Sequence, residues 1–304
     1  MDYVISIITT IGVYAIMALS LNLLIGYTGL LSLAHVAFFG IGAYSVAIAT
    51  ANPDLLATLS KFGLPYPGWQ PGFGAGLMLG LEVTTAISLV VGAIMNRFSG
   101  DIYCIATLGI GIIAHTFFLN ATSITQGPLG IAGVVPPTVC GIELNDPARY
   151  MVFVWMCVTV VWAACLAITR TPFGRILNSI REDELTIRLF GYYTPAFKLM
   201  VFIMSAWMAT FAGGLFACHL QFVDPTSFLT SEIIFVVTMV ILGGLASHRG
   251  AFLGAIVMVM LPEALRFVGA RPEYAAQLRQ ILFGIALVSL MIFRPQGLLG
   301  KFKM

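Results

Sequence analysis

The sequence predicts an all-α, polytopic membrane protein with about nine transmembrane segments. Of its 304 residues, 59% are apolar and only 9% are charged, and the mean hydropathy is +0.98. This composition leaves too little polar surface to coat a soluble globule. Several apolar runs also approach the roughly 20 residues that a helix needs to cross a bilayer. We therefore expect one transmembrane domain over residues 1–304.

Nine apolar runs are the predicted spans. In order, they are 4–25, 30–49, 72–95, 102–120, 150–168, 199–218, 233–246, 251–268 and 278–293. The seventh and ninth are short enough to be tilted or broken. The link GYTG at 26–29 leaves barely a turn between the first two runs. Residues 30–49 therefore complete a tight hairpin, or form a broken or re-entrant segment that leaves eight spans.

Basic residues predict the orientation. With 169–198 in the cytoplasm, ten of the 15 basic residues are cytoplasmic, the bias that the positive-inside rule requires. The N-terminus is then outside and the C-terminus inside, whereas a re-entrant second run would move the N-terminus inside. The net charge of +2 gives no reason to expect a nucleic-acid partner.

A possible internal repeat links two distant segments. The order Gly29-Leu30-x-Ser32 followed by Ala37 to Gly40 resembles Gly244-Leu245-x-Ser247 followed by Ala251 to Gly254. Internal repeats are common in membrane transport proteins. Short matches of Gly, Ala and Phe also arise by chance in apolar sequence, so both interpretations stay open.

Small residues recur every fourth position in the third predicted span. They are Gly72, Gly76, Gly80, Thr84, Ser88 and Gly92. Residues four apart share one helical face, so this stripe predicts a groove in which a second helix packs closely. Helix packing is favoured over a solute path.

Polar residues inside the apolar runs are the candidates for a translocation path. They are Asn22, Ser32, His35, Glu82 and His115. An acidic group at bilayer depth costs a few kcal/mol on insertion scales, so Glu82 is expected to face protein or a water-filled cavity. A polar point on the path and an interhelical contact are equal alternatives for it.

The two histidines in these runs could each line a cavity. On a continuous helix His35 would share a face with Ser32 and Gly42, and His115 with Gly111. Neither has a second ligand at metal-binding spacing, so packed or hydrogen-bonded histidines are favoured and no metal site is predicted. The sequence also lacks GxSxG, HExxH and GxxxxGK[ST] motifs, which argues against an enzyme and against ATP binding by this chain.

A charged amphipathic segment interrupts the apolar chain. We predict one helix over 173–191, followed by the helix-ending Gly191 and Pro195. Its predicted docking residues are Arg175, Ile180, Arg181, Glu182, Glu184, Leu185, Arg188, Leu189 and Gly191. A solvated positive-inside loop is the alternative, but a loop needs no apolar residues at helical spacing.

Five motifs resemble the LivM-type permeases of the branched-chain amino acid ABC transporter family. They are NLLIGYTGLLSLAHVAFFGIGAY (22–44), TQGPLGIAGVVPP (125–137), REDELTIRLFGY (181–192), VTMVILGGLASHRGAFLGA (237–255) and FRPQGLLG (293–300). The chain departs from the family pattern where Ala34 and Val36 flank His35 and where Ala246 replaces a usual glycine before Ser247. It also lacks the literal EAA spacing of other importers.

The resemblance implies a permease subunit in a bacterial inner membrane. The implied partners are a LivH-type permease, two cytoplasmic ATPases and a periplasmic binding protein, with surrounding membrane lipid. ATP and magnesium would be bound by the ATPases, and no cofactor by this chain. Segment 173–191 would be the cytoplasmic coupling helix. Branched-chain amino acids are the first expected substrates, with urea, amides or small aromatic acids as alternatives.

Two other classes of function stay open at this point. A standalone ion-coupled secondary transporter would move its solute without ATPases. An intramembrane enzyme would depend on Glu82 or His115.

Overall fold

The structure is a computed structural model that describes residues 2–51, 72–98, 100–139, 142–267, 284 and 297–299. These residues contain eleven α-helices. Their bounds are α1 Asp2–Thr28, α2 His35–Ala51, α3 Phe73–Met95, α4 Gly100–Asn120, α5 Thr122–Thr125, α6 Pro147–Arg170, α7 Pro172–Glu182, α8 Glu184–Leu189, α9 Thr194–Leu220, α10 Thr230–Gly243 and α11 His248–Phe267.

Two short antiparallel ladders and two 3-10 turns accompany the helices. The first ladder pairs β1 (Ile131–Ala132) with β4 (Phe222–Val223), and the second pairs β2 (Thr138–Val139) with β3 (Ile142–Glu143). The 3-10 turns are Gly127–Leu129 and Pro225–Phe228. The first ladder ties the segment after α4 to the end of α9. Since each strand has only two residues and the helices form the rest of the regular structure, the all-α class is confirmed.

Helices α1, α2 and α9 form the core of the bundle. Helix α2 is buried over almost its whole length and lies against α3 and α9. A Cβ on Gly42 would overlap the carbonyl of Thr210, and one on Gly213 would overlap the carbonyl of Phe39. Glycine at these crossings therefore lets the α2 and α9 backbones touch directly.

The prediction of nine spans is not confirmed. Among the described residues, α1, α3, α4, α6 and α9 are long and apolar enough to cross a membrane, whereas α2 and α10 are shorter apolar helices. Eight of the nine predicted runs coincide at least in part with a helix. Apart from residue 284, the ninth run, 278–293, lies outside the described residues, as do residues 52–71.

The second predicted run begins with non-helical backbone. Helix α2 starts only at His35, whose Nε2 lies 3.1 Å from the Oγ of Ser20. Since Ser20 precedes the end of α1 by eight residues, α2 begins about 12 Å back along α1. Residues 29–34 therefore run inside the bundle, which favours the broken segment over the tight hairpin.

Helix α4 contacts the backbone of this internal link. The backbone N–H of Leu33 donates to the Thr107 hydroxyl at 3.1 Å, and Gly111 of α4 passes beside the Leu33 carbonyl. Non-helical backbone at bilayer depth survives only where protein covers it. Because Ser32 lies in the link and not on α2, the prediction that His35 and Ser32 share a helical face is wrong.

The helix ends define two ends of the bundle. At one end, the starts of α1 and α3 meet the ends of α9 and α2: Ser6 contacts His219, and Gly76 lies against Ala49. At the other end lie α7, α8, the end of α1 and the link 244–247. We call this second end the basic end, because it carries the arginine-rich segment.

We expect the basic end to face the cytoplasm, because its Lys and Arg residues dominate the positive-inside balance. A single cysteine at the exposed Thr186, introduced into a cysteine-free background, should react with a membrane-impermeant maleimide only from the inner face. A cysteine at Leu129, which is 82% exposed near the opposite end, should react only from outside. If the cysteine at Thr186 reacted only from outside and the cysteine at Leu129 only from the inner face, the true topology would be the opposite of the predicted one.

Candidate functional site

A short break separates α10 from α11 at the basic end. Helix α10 ends at Gly243 and α11 begins at His248. Between them Gly244 has φ +109° and Ala246 has φ +57°. A positive φ is disfavoured for a residue with a Cβ, so the surroundings have to hold Ala246 in place.

Helix α1 supplies both hydrogen bonds that hold Ala246. The N–H of Ala246 donates to Asn22 Oδ1 at 3.1 Å, and the Tyr27 hydroxyl donates to the Ala246 carbonyl at 3.1 Å. The Tyr27 ring also stacks on His248, with ring centroids 5.3 Å apart. Since all of these groups are buried, the α10–α11 break is fixed to the C-terminal half of α1.

Close backbone approach reinforces this fixation. A Cβ on Gly26 would lie 2.6 Å from the Ala246 nitrogen and 2.5 Å from Asn22 Oδ1. On the far side, a Cβ on Gly297 would lie 2.6 Å from the Gly244 Cα, and Leu298 N donates to the Leu242 carbonyl at 2.9 Å. The break is thus held between α1 and the segment 297–299.

The charged segment is two helices, so the prediction of one continuous helix over 173–191 is wrong. Asp183 adopts an extended conformation and its Oδ1 accepts hydrogen bonds from the backbone N–H groups of Leu185 and Thr186. This is an N-cap, which satisfies the free donors at the start of α8. Gly191, with φ +85°, lies beyond the end of α8 and turns the chain toward α9.

Helix α7 packs onto the bundle through its apolar face. Gly174, Leu177 and Ile180 are buried, and α7 contacts α1 and α6. A Cβ on Gly174 would lie 2.5 Å from the Thr169 carbonyl, so glycine permits the tight approach to α6. Ile180 is only 4% exposed, so one of the predicted docking residues is already buried within this chain.

Arg181 joins α7 to the end of α1. Its Nη1 donates to the Gly26 carbonyl at 2.5 Å, and its aliphatic stem lies against Gly29. The four C-terminal carbonyls of a helix lack intrahelical partners, so this guanidinium caps α1. Gly26 also contacts Ala246, so Arg181 is linked to the α10–α11 break through this single glycine.

Glu184 fixes α8 onto the start of α9. Its carboxylate accepts from Lys198 Nζ at 2.5 Å, from Thr194 Oγ1 at 2.9 Å and from Arg188 Nη2 at 2.6 Å. Burial alone would raise the pKa of Glu184, but these three donors outweigh it and hold the pKa below its ordinary value. The carboxylate is therefore charged at neutral pH, and Lys198, with only 7% of its side chain exposed, is paired.

The Glu184 contacts leave an apolar surface facing outward. Leu185 is 70% exposed, Leu189 88%, Phe190 72% and Tyr193 72%. We call these four residues the apolar knob. Exposed apolar patches beside charged residues are typical of surfaces that bind another protein or a membrane. Glu182 and Arg175, two of the predicted docking residues, are exposed on the same segment, and Arg188 is half-exposed.

The predicted path residues do not form one cluster. His35 and Ser32 are fully buried near Ser20 and the link 29–34, whereas Asn22 contacts Ala246. Among the described residues, Nδ1 of His35 has no hydrogen-bond partner. The polar groups at the start of α2 therefore retain one unused hydrogen-bonding position.

Glu82 and His115 lie away from that region. Glu82 is exposed on the outer face of α3, so the described residues do not provide the expected protein or cavity around it. His115 is partly exposed on α4. Either residue would need cover from outside the described residues at bilayer depth.

Of the six small residues predicted to form a stripe, five lie on the buried face of α3. Gly76 lies against Ala49, Thr84 and Thr210 share a 2.6 Å hydrogen bond, and Gly92 lies against Leu199. Gly80 and Ser88 are also buried on this face. Gly72 departs from the pattern, because it precedes the helix, is exposed and has no neighbour within 4 Å of a Cβ. The seam joins α3 to α2 and α9.

Comparison with known proteins identifies the family. The family model for the permease component of branched-chain amino acid transport systems matches residues 3–291. The chain belongs to this permease family. It is therefore a multi-pass membrane protein and a transport component, not an enzyme.

Several curated relatives carry the same assignment. The chain is 33% identical to the high-affinity branched-chain amino acid permease protein LivM of Salmonella typhimurium, over 97% of this chain and 69% of the relative. It is 24% identical to a probable LivM of Methanocaldococcus jannaschii, over 99% and 94% of the two chains. It is also 24% identical to LivH of Escherichia coli, over 97% and 93%. No solved structure matches.

Several residues of this permease site escaped sequence analysis. Tyr27, His248, Asp183 and Lys198 are the main ones, since they hold the break and orient α8. Asp183 could have been found, because Asp followed by an amphipathic run is an N-cap signal. The others depend on long-range contacts that leave no local pattern.

Gly26→Ala should destabilise this permease. The added methyl would meet Ala246 backbone and Asn22 Oδ1, and overpacking of this kind costs about 1–3 kcal/mol. Gly74→Ala is the matched control, because a Cβ there meets nothing within 4 Å. Thermal denaturation of the detergent-purified protein should show a lower midpoint for Gly26→Ala only. Equal midpoints for both variants would contradict a tight contact at the break.

Glu184→Gln should also lower the free energy of unfolding at pH 7 by on the order of 1 kcal/mol, and with it the melting midpoint, because it leaves Lys198 without its anion. Since the folded-state pKa of Glu184 is lowered, its contribution is present above its unfolded pKa and is lost as the pH falls through the folded value. The difference from wild type should therefore shrink below about pH 4. The exposed Glu182→Gln is the control and should leave the midpoint unchanged at both pH values.

Proposed function

We propose that this permease moves a small amino acid-like solute, with branched-chain amino acids as the first substrates, by ATP-driven alternating access. The observation that carries the proposal is the apolar knob at the basic end. It is exposed on a rigidly oriented helix pair, and Arg181 connects that pair to the end of α1. A partner that pushes on the knob would therefore act on α1 and on the α10–α11 break.

The proposed complex contains a LivH-type permease, two cytoplasmic ATPases and a periplasmic binding protein. The second permease is supported by the similarity of this chain to both LivM and LivH, whose names assign them to the same kind of transport system. The outward-facing Glu82 and His115 would lie against that second permease. ATP and magnesium would be held by the ATPases, and this chain would bind no cofactor.

The proposed solute path passes the start of α2. There the chain is non-helical over 29–34, and the first N–H groups of a helix lack intrahelical partners. Helix starts of this kind within a bilayer favour anionic groups, such as the carboxylate of an amino acid. His35 and Ser32 lie at this position and are fully buried. In the proposed mechanism, their burial corresponds to a state in which the solute path is closed. Urea, amides or small aromatic acids remain the alternative substrates.

A standalone secondary transporter is the competing function. Reconstituted vesicles that contain only this chain would then accumulate solute when an ion gradient is applied. We expect no uptake by this chain alone, and uptake only after the ATPases, the second permease and the binding protein are added. Gradient-driven uptake by the single chain would overturn the proposal.

Leu185→Asp should abolish solute-stimulated ATP hydrolysis by the assembled complex. A carboxylate in the centre of the apolar knob would be buried without a partner upon ATPase docking, which costs several kcal/mol. The conservative Leu185→Met keeps apolar volume and should retain most of the stimulation.

The assay needs two accompanying measurements. Solute binding by the binding protein and the amount of inserted permease should be the same for wild type and both Leu185 variants. Full stimulation in an assembled Leu185→Asp complex would show that the knob does not carry the signal. Charge reversal at Arg188 is expected to have a smaller effect, because half-exposed ion pairs contribute about 1 kcal/mol or less.

A further inference from the structure

A cleft of about 530 Å³ opens at the basic end between α6, α7 and the α10–α11 break. It lies beside the coupling segment but does not include the apolar knob. The lining residues that matter are Arg170, Arg249, Asn178, Ser247, Trp162 and Leu166. Tyr27, Ala246 and His248 of the α10–α11 break also line the cleft, but the functions assigned above do not use its open volume.

The mouth of the cleft is cationic. Arg170 and Arg249 are both exposed there, and the lining contains no acidic residue. Within the described part of the chain, neither arginine forms an ion pair with a carboxylate. Two unpaired guanidinium groups in one cleft favour a phosphate or carboxylate group.

The inner wall of the cleft is apolar. Trp162 and Leu166 precede Arg170 by eight and four residues on α6, so the wall extends about 12 Å from the arginines toward the bilayer centre. Trp162 is fixed by an edge contact with Phe252 of α11, with ring centroids 5.2 Å apart. A soluble anion would leave this wall uncovered, whereas an acyl chain would cover it.

The floor of the cleft holds an acceptor with no partner. Asn178 Oδ1 is buried and accepts no hydrogen bond from any described residue. Ser247 lies nearby in the lining and is 8% exposed. A headgroup that carries hydroxyl groups would donate to Asn178 while its phosphate faces the two arginines.

We propose that this cleft binds an anionic glycerophospholipid of the cytoplasmic leaflet, of the phosphatidylglycerol type. Basic pockets between membrane helices on the cytoplasmic side have the charge and position that such headgroups require. The phosphate pairs with Arg170 and Arg249, the glycerol hydroxyls donate to Asn178, and one acyl chain lies along Trp162 and Leu166. The lipid thereby bridges α6, α7 and the break, which links membrane composition to the elements that surround the proposed coupling path.

The test uses the full chain with Trp162 as the only tryptophan. The other three, Trp69, Trp155 and Trp207, are replaced by Phe. The protein is reconstituted into phosphatidylcholine vesicles with increasing mole fractions of phosphatidylglycerol brominated on its acyl chains. Brominated phosphatidylcholine at the same mole fractions measures quenching by bulk lipid. We expect brominated phosphatidylglycerol to quench Trp162 at lower mole fractions than brominated phosphatidylcholine.

Arg170→Gln/Arg249→Gln should raise the mole fraction of phosphatidylglycerol needed for half-maximal quenching on the order of tenfold. The matched control is Arg97→Gln/Arg175→Gln, which removes two exposed arginines from the basic end outside the cleft and should leave the titration unchanged. If the double variant does not insert, Arg249→Gln and Arg249→Lys replace it, with a loss expected only for the glutamine.

Three results would overturn the proposal. Equal quenching by the two brominated lipids would show that the cleft does not select phosphatidylglycerol. Equal shifts in the cleft variant and the control variant would show that only overall charge matters. Loss of the preference upon addition of millimolar inorganic phosphate would assign the cleft to a soluble anion. None of these results depends on transport, so a failure here leaves the proposed function intact.

Discussion

The contact between the C-terminal half of α1 and the α10–α11 break is the interaction on which the basic end depends. Ala246 has a positive φ, and its N–H and carbonyl are bonded by Asn22 and Tyr27. Gly26 lies one helical turn from Asn22, where only a hydrogen atom fits beside Ala246. Without this contact the break would carry buried, unsatisfied backbone groups, each of which costs about 1–3 kcal/mol.

Two breaks give the bundle its functional character. The first, at 29–34, lets α2 begin inside the bundle at His35, and the second lets α11 begin at His248. Each break contains the sequence Gly-Leu-x-Ser, and the first glycine of each has a positive φ. The similar local structure agrees with the predicted internal repeat, which stays a prediction because the helices around the two breaks pack differently. Breaks of this kind are tolerated at membrane depth where the surrounding protein covers the backbone.

The basic end combines rigid positioning with an exposed apolar surface. Glu184 holds α8 against Lys198, and Asp183 caps the same helix. Polar bonds therefore fix the direction in which Leu185 and Leu189 point, while these apolar side chains are left free to bind another protein. The division agrees with general interface physics, in which buried apolar anchors contribute more than exposed ion pairs.

The sequence alone determined the membrane class, the approximate position of eight helices, the small-residue face of α3 and the permease family. These properties depend on composition, on apolar run length and on local motifs, which a chain displays without folding. Among the residues proposed for docking, Leu185 and Leu189 are exposed whereas Ile180 is buried, and their role in docking stays a prediction.

Only the tertiary structure decided where the helices break and which polar residues meet. Residues 30–34 are as apolar as a transmembrane helix, but their backbone is not helical and the Leu33 N–H donates to Thr107 of a distant helix. Arg181 was predicted from the sequence as a docking residue, and in the fold its guanidinium caps α1 through a contact 155 residues away in sequence. Long-range hydrogen bonds of this kind follow from how the helices pack, and apolar periodicity contains no record of them.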